Sequence, residues 1–216
     1  MYTTQFKRFN IRAILLLLTT VPLWSACQNN SEDEAPGQTI LAQEVIDLAA
    51  PSSSEFTFYN LRTNEAVNRA DSASTNWDIA FAGTTIRFNG GVSGPGQGGA
   101  AMLTGIFESI TSAPSIEIAA DSNEKLAISV PAGTSWYSYT GPVGNPPFAV
   151  LPIPGRVIVF KTADGKYGKL EIQSYYRGGP SPNYSDPVFI DVSTRPASRY
   201  YSFRYVVQQD GSTNFD

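Results

Sequence analysis

Apolar and polar residues alternate with a period of two along most of this chain, and turn residues separate the alternating stretches. Residues 55–61 (EFTFYNL) alternate and run into Thr63-Asn64-Glu65, which reads as a hairpin turn. Residues 76–81 (NWDIAF) set Trp77, Ile79 and Phe81 on one face against Asp78 and Ala80, then continue through Ala82-Gly83 into TTIRFN. Residues 156–160 (RVIVF) form a continuous apolar run. Asp164-Gly165 turns that run into YGKLEIQSYY, where Lys169 and Glu171 oppose Leu170 and Ile172. Asp-Gly between two such runs is a strong local hairpin signal. Near the end, Tyr201, Phe203, Tyr205 and Val207 alternate with Ser202 and Arg204, and Asp210-Gly211 closes the stretch.

Helical spacing is scarce. Leu103, Ile106, Phe107 and Ile110 in MLTGIFESI predict a short helix, and TILAQEVIDLA, residues 39–49, reads as either strand or helix. Proline and glycine crowd GPVGNPPFAVLPIPG, residues 141–155, which predicts a loop. The pattern as a whole predicts an all-β chain: a single antiparallel β-sandwich or partly open barrel with long loops and at most one or two short helices.

The first residues belong to a different class. Lys7, Arg8 and Arg12 precede the apolar run AILLLLTTV, too short to span a bilayer comfortably and suited to a secretory signal. The run ends in LWSAC, which resembles a bacterial lipobox in which Cys27 becomes the lipidated N-terminus; Trp24 stands where an aliphatic residue is usual. An ordinary signal cut nearby, leaving a free thiol, is the alternative, since a lone cysteine has no internal disulfide partner. QNNSEDEAPGQ then carries Glu32, Asp33 and Glu34 with too little apolar area to offset ordering, so it reads as a tether. These readings give residues 1–26 as signal peptide, 27–38 as lipidated acidic tether and 39–216 as one β domain, anchored to a membrane by lipid.

Composition narrows the chemistry. The net charge is −4, without the concentrated basic face that nucleic acid demands. The chain has no histidine, which excludes Ser-His-Asp and Cys-His nucleophilic catalysis, histidine-based zinc sites and bis-histidine haem ligation by this chain alone. The loop NGGVSGPGQGGAAM, residues 89–102, holds six glycines and no charge. A phosphate loop of the Walker type needs Lys and then Ser or Thr after its last glycine, and here Ala100 and Ala101 follow Gly99. The glycines instead permit close backbone approach, so the loop folds back over the sheet end and either seals it or faces a ligand. Asp164-Gly165 and Asp210-Gly211 lack the further oxygen ligands of a calcium loop. Arg87, Arg156, Arg177, Arg195, Arg199 and Arg204 could pair with haem propionates or a sialylated glycan, but they are scattered, as surface ion-pair residues are.

Two features are candidates for ligand binding. Thr134–Gly141 (TSWYSYTG) packs Trp136, Tyr137 and Tyr139 into one extended segment, with the tyrosines on one face and the indole on the other. A flat porphyrin or a sugar ring could stack there, and tyrosine offers a hard oxygen for ferric iron; aromatic packing across a sandwich is the plain alternative. Met102 is the one methionine besides the initiator, and its thioether is either a soft ligand or a filler of an irregular gap beside Leu103.

Taken in order, NWDIAF, TTIRFNGG, SGPGQGGA, PIPGRVIVFKTADGKYGKLEIQSYY and RYYSFRYVVQQDGS resemble the successive signature blocks of the HmuY family of bacterial surface lipoproteins. The acidic stretch after Cys27 is similar to export signals of surface lipoproteins in Bacteroidetes-type bacteria. The resemblance implies a mostly β fold gripping its ligand between loops at one end. It also implies a non-enzymatic, haemophore-like protein of the outer membrane that captures haem and passes it to a TonB-dependent receptor. The best-known member of the family holds iron through two histidines, and neither can be carried over. Some relatives use methionine, which makes Met102 a candidate ligand for haem iron, with Trp136, Tyr137 and Tyr139 as ring-binding candidates. A surface glycan-binding or adhesive module on the same scaffold is the alternative.

Overall fold

Eleven strands and very little helix make up the computed structural model, which describes residues 40–216. The strands are β1 (Gln43–Ala49), β2 (Thr57–Asn60), β3 (Glu65–Val67), β4 (Ile79–Ala82), β5 (Thr85–Phe88) and β6 (Gly99–Thr104). They continue with β7 (Tyr137–Tyr139), β8 (Val150–Pro152), β9 (Arg156–Lys161), β10 (Tyr167–Tyr176) and β11 (Ser198–Val207). The single α-helical turn, α1, is Pro187–Ile190, capped by Asp186, whose side chain accepts from the Val188 N–H. The expected signal peptide, residues 1–26, and the whole of the expected tether, residues 27–38, lie outside the described residues.

All strand pairings are antiparallel. One sheet has the order β1-β11-β10-β9-β6, the second β3-β2-β4-β5, and β7 pairs with β8 alone. The alternation read from the sequence sets the inner faces: Tyr201, Phe203, Tyr205 and Val207 of β11 join Leu170 and Ile172 of β10 in the main core. Ile79 and Phe81 of β4 and Ile86 and Phe88 of β5 meet them from the other sheet. Aromatic pairs bridge the layers, Phe81 to Tyr201 at 4.4 Å between ring centroids and Phe88 to Phe160 at 5.6 Å. Pairs of this kind add about 0.5–1.5 kcal/mol each beyond area burial. The sandwich is open rather than closed into a barrel.

A second, smaller core lies on the far face of the five-stranded sheet, where Val157, Val159 and Val206 are covered by Phe107 and Phe215. There Lys169 is 4 % exposed, and its ammonium donates to the carbonyls of Phe107 and Ile110, both at 2.8 Å. Burial pulls its pKa below the ordinary lysine range.

Both predicted tight turns form. Asn60 pairs with Glu65 across the β2–β3 turn, with Asn64 at φ +59°, and Gly165 takes φ +86° between β9 and β10. The ambiguous segment at residues 39–49 is strand β1, bulged between Val45 and Leu48. The helix expected over MLTGIFESI is absent. Met102–Thr104 instead complete β6 by pairing with β9, and only Phe107–Ser109 winds into a 3-10 turn, since edge pairing outweighs a weak helical spacing interrupted by Gly105. The Pro/Gly-rich loop contains the short strand β8. Trp77 does not share the face of Ile79 and Phe81. It precedes β4 and packs edge-on against Phe58 at 4.9 Å.

Candidate ligand-binding site

Long connections gather at the sandwich edge that carries β7 and β8. The chain between β6 and β7 has little regular structure and is pinned from within by Asp121. Its buried carboxylate accepts from the Ala127 N–H at 2.7 Å and the Phe88 N–H at 3.3 Å, which satisfies it without a counter-ion. The connection then delivers Trp136 and Tyr137 into the core.

The three ring candidates separate sharply in this setting. Trp136 is 1 % exposed; its indole N–H donates to the Thr84 carbonyl at 3.0 Å, and its ring packs at 5.0–5.7 Å from Tyr137, Tyr175 and Tyr201. Tyr137 is also buried, donating to the Val130 carbonyl at 3.0 Å. The expectation of an accessible indole platform is therefore corrected. Trp136 precedes β7, where the backbone turns, so strand alternation does not push its ring outward. Tyr139, at 53 % exposure, is the member of the trio that faces solvent. Met102 sits on edge strand β6, opposite Ile158, half-buried against the main core on the same inner face as Ala100.

Tyr175 and Tyr201 extend the aromatic cluster and were not legible as site residues, because they lie far from Trp136 in sequence. Their rings stand 5.3 Å apart at 83°. Burial drives both phenols upward, Tyr201 well above the ordinary value, and Tyr201 donates to the Gly83 carbonyl at 2.6 Å. At neutral pH these are donors and apolar walls; they do not supply phenolate.

Beside this closed cluster lies an apolar rim. The loop 141–148 leaves Val143 97 % exposed and Phe148 half-exposed, and it is closed by the Phe148 N–H donating to the Gly141 carbonyl at 2.7 Å. Arg195 ties that loop to α1, donating to the carbonyls of Pro147 at 2.8 Å and Phe189 at 2.7 Å. Val188 and Val192 are exposed next to Phe189 in the same stretch of chain. Tyr176 reaches under the rim, accepting from the Val150 N–H at 3.0 Å and meeting Phe189 edge-on at 4.7 Å. Tyr184, 5.0 Å from Phe189, carries a buried hydroxyl with no partner among the described residues; burial pushes its phenol up to about 12. Held by hydrogen bonds below and apolar above, the rim suits a flat, largely apolar ligand better than a charged one.

No curated protein matches the chain. Among solved structures, the apo HmuY analog of Tannerella forsythia is 17 % identical, covering 78 % of this chain and 95 % of its own, with a TM-score of 0.44. Apo PinO of Porphyromonas gingivitis is 16 % identical over 79 % of this chain and all of its own, with a TM-score of 0.49. A Bacteroides vulgatus protein described as HmuY-like and heme binding is 18 % identical over 76 % and 91 % of the two chains, with a TM-score of 0.43. Residues 52–186 match the family model described as HmuY protein, and with well over half of its length so covered, this chain belongs to the HmuY family.

Proposed function

We propose that this protein is a lipid-anchored surface protein that binds haem or a related tetrapyrrole without bis-histidine ligation and delivers it to an outer-membrane, TonB-dependent receptor. The observation that carries the reading is family membership joined to an exposed apolar rim: Tyr139, Val143 and Phe148 present to solvent the kind of surface a macrocycle buries. Heme binding described for a family neighbour supports the ligand class. No helix of the described residues is long and apolar enough to cross a membrane, and attachment is assigned to Cys27, outside them. The family's members are binding proteins, and this chain is read as a carrier rather than an enzyme.

With no histidine in the chain, grip rests on ring stacking and burial, with Met102 as the one thioether ligand the domain offers. A single methionine makes one axial bond, so the second comes from a phenol, a lysine, water or a partner. Titrating the purified protein with haemin under oxidising and reducing conditions should give a saturable Soret shift; a flat titration in both states removes the reading. Met102→Ala should weaken the ferrous complex, and unchanged binding returns Met102 to a packing role. The glycan-binding alternative leaned on an accessible Trp136, and the burial of that indole takes away its support.

A further inference from the structure

The outer face of the four-stranded sheet carries a hollow that the tetrapyrrole reading does not use. Its floor follows from register: Phe58 of β2 pairs with Ala80 of β4, and Ala80 pairs with Arg87 of β5, so a methyl group sits between two large side chains. Phe56 and Trp77 raise the walls, and Ser93 of the glycine loop closes one side, leaving a cleft of about 220 Å³. The glycine loop holds Ser93 there by close approach. A Cβ on Gly94 would fall 2.1 Å from Asn89 Oδ1 and 2.9 Å from the Trp77 ring. Asn89 in turn accepts from the Gly96 N–H and donates to the carbonyls of Ser74 and Trp77.

Two polar groups in this hollow have no partner. Arg87 Nε and Ser93 Oγ are buried and make no hydrogen bond among the described residues. The Arg87 guanidinium instead lies 4.4 Å over the Phe56 ring. Other arginines are satisfied: Arg62 by Asp78, Arg69 by Glu55, Arg204 by Glu108 and Glu171. A buried unsatisfied donor costs on the order of 1–3 kcal/mol, so the orphaned Arg87 Nε and Ser93 hydroxyl lining one cleft are groups a ligand could satisfy. No carboxylate lines the cleft to compete.

We infer that this hollow is a binding site for a carboxylate-bearing small molecule or terminal group. The carboxylate takes the edge of the planar guanidinium as a fork, the ring face of Phe56 orients that fork, and Ser93 donates to a carboxylate oxygen. The half-buried rings of Phe56 and Phe58 face a compact apolar or sugar body, with buried Trp77 and Ala80 behind them. The volume is below that of drug-sized pockets, which fits a single ring and excludes a macrocycle. The site stands apart from the tetrapyrrole reading, and either can fail without the other.

The Trp77 indole N–H, which donates to Ser72 on the same cleft, reports occupancy by NMR, and the core Trp136 indole is the internal control. Titration with benzoate and with N-acetylneuraminate separates a simple aromatic acid from an acidic sugar; benzamide and inorganic phosphate are the comparison probes. A saturable shift of the Trp77 resonance with either carboxylate, absent with benzamide and weakened at least about tenfold in Arg87→Ala, is the expected result. Should Arg87→Ala fail to fold, Arg87→Lys keeps the charge and removes the fork, and should weaken binding likewise. Equal shifts with benzamide, binding of phosphate alone, binding retained in the arginine variants, or no shift with either carboxylate would each overturn the assignment.

Discussion

Two aromatic regions of this molecule invite the same guess and behave oppositely. Around Trp136 the indole and the phenols of Tyr137 and Tyr201 each donate to a carbonyl, and the rings fill the space between the sheets. Around Trp77, itself buried, the half-buried rings of Phe56 and Phe58 stand on the outer face of a sheet, with Ala80 between Phe58 and Arg87 and the Arg87 Nε left without an acceptor. Ring density alone does not make a binding site. Unsatisfied polarity beside accessible apolar wall does, because only there does a ligand recover free energy the fold has left unspent.

The largest expected contrast is in stability. Trp136→Ala removes a ring packed against three tyrosines and orphans the Thr84 carbonyl, and should cost about 3–5 kcal/mol in chemical denaturation. Arg87→Ala should stay within about 0.5 kcal/mol of the parent, since loss of its contact with Phe56 is offset by relief of an orphaned donor. Should Arg87→Ala prove as damaging as Trp136→Ala, Arg87 would be a structural residue and the contrast between the two regions would collapse.

Gly94→Ala sits between these extremes and acts on the hollow through its wall. The added methyl has no room against Asn89 and Trp77, and overpacking of this kind costs about 1–3 kcal/mol. It should also shift the Trp77 indole resonance in the free protein and weaken carboxylate binding while leaving the Trp136 resonance in place. A variant with parental stability and binding would mean that the loop does not hold Ser93 in position.

Much of the scaffold was legible because the inner face of β11 alternates from Tyr201 to Val207, that of β10 does so as far as Ile172, and the Asp164-Gly165 turn admits few conformations. What escaped were features decided at strand ends. Trp77 and Trp136 both lie just before a strand, where the period of two carries no information about facing, so each was assigned the wrong surroundings. Arg87 looked like one more scattered arginine; its lack of an acid partner depends on Ala80 and Ser93 arriving from other elements. The short helix expected near Met102 lost to pairing with β9, a long-range choice that local spacing does not encode.

The smallest effect separates two kinds of orphaned group. Tyr184 also has a buried hydroxyl without a partner, but it lies against Phe189 under the apolar rim with no cation beside it. Tyr184→Phe should therefore change stability at neutral pH by less than about 0.5 kcal/mol, since the lost hydroxyl makes no hydrogen bond. Alkaline pH exposes the difference. Burial raises the folded phenol from 10.0 to about 12, so between those values the folded chain holds a proton that the unfolded chain has released, and stability falls as pH rises. The substitution should remove that proton's share and flatten the alkaline loss over pH 10 to 12, read from urea midpoints at fixed pH steps. An unchanged slope would mean that the hydroxyl reaches water, and the rim would then be more open than its burial implies.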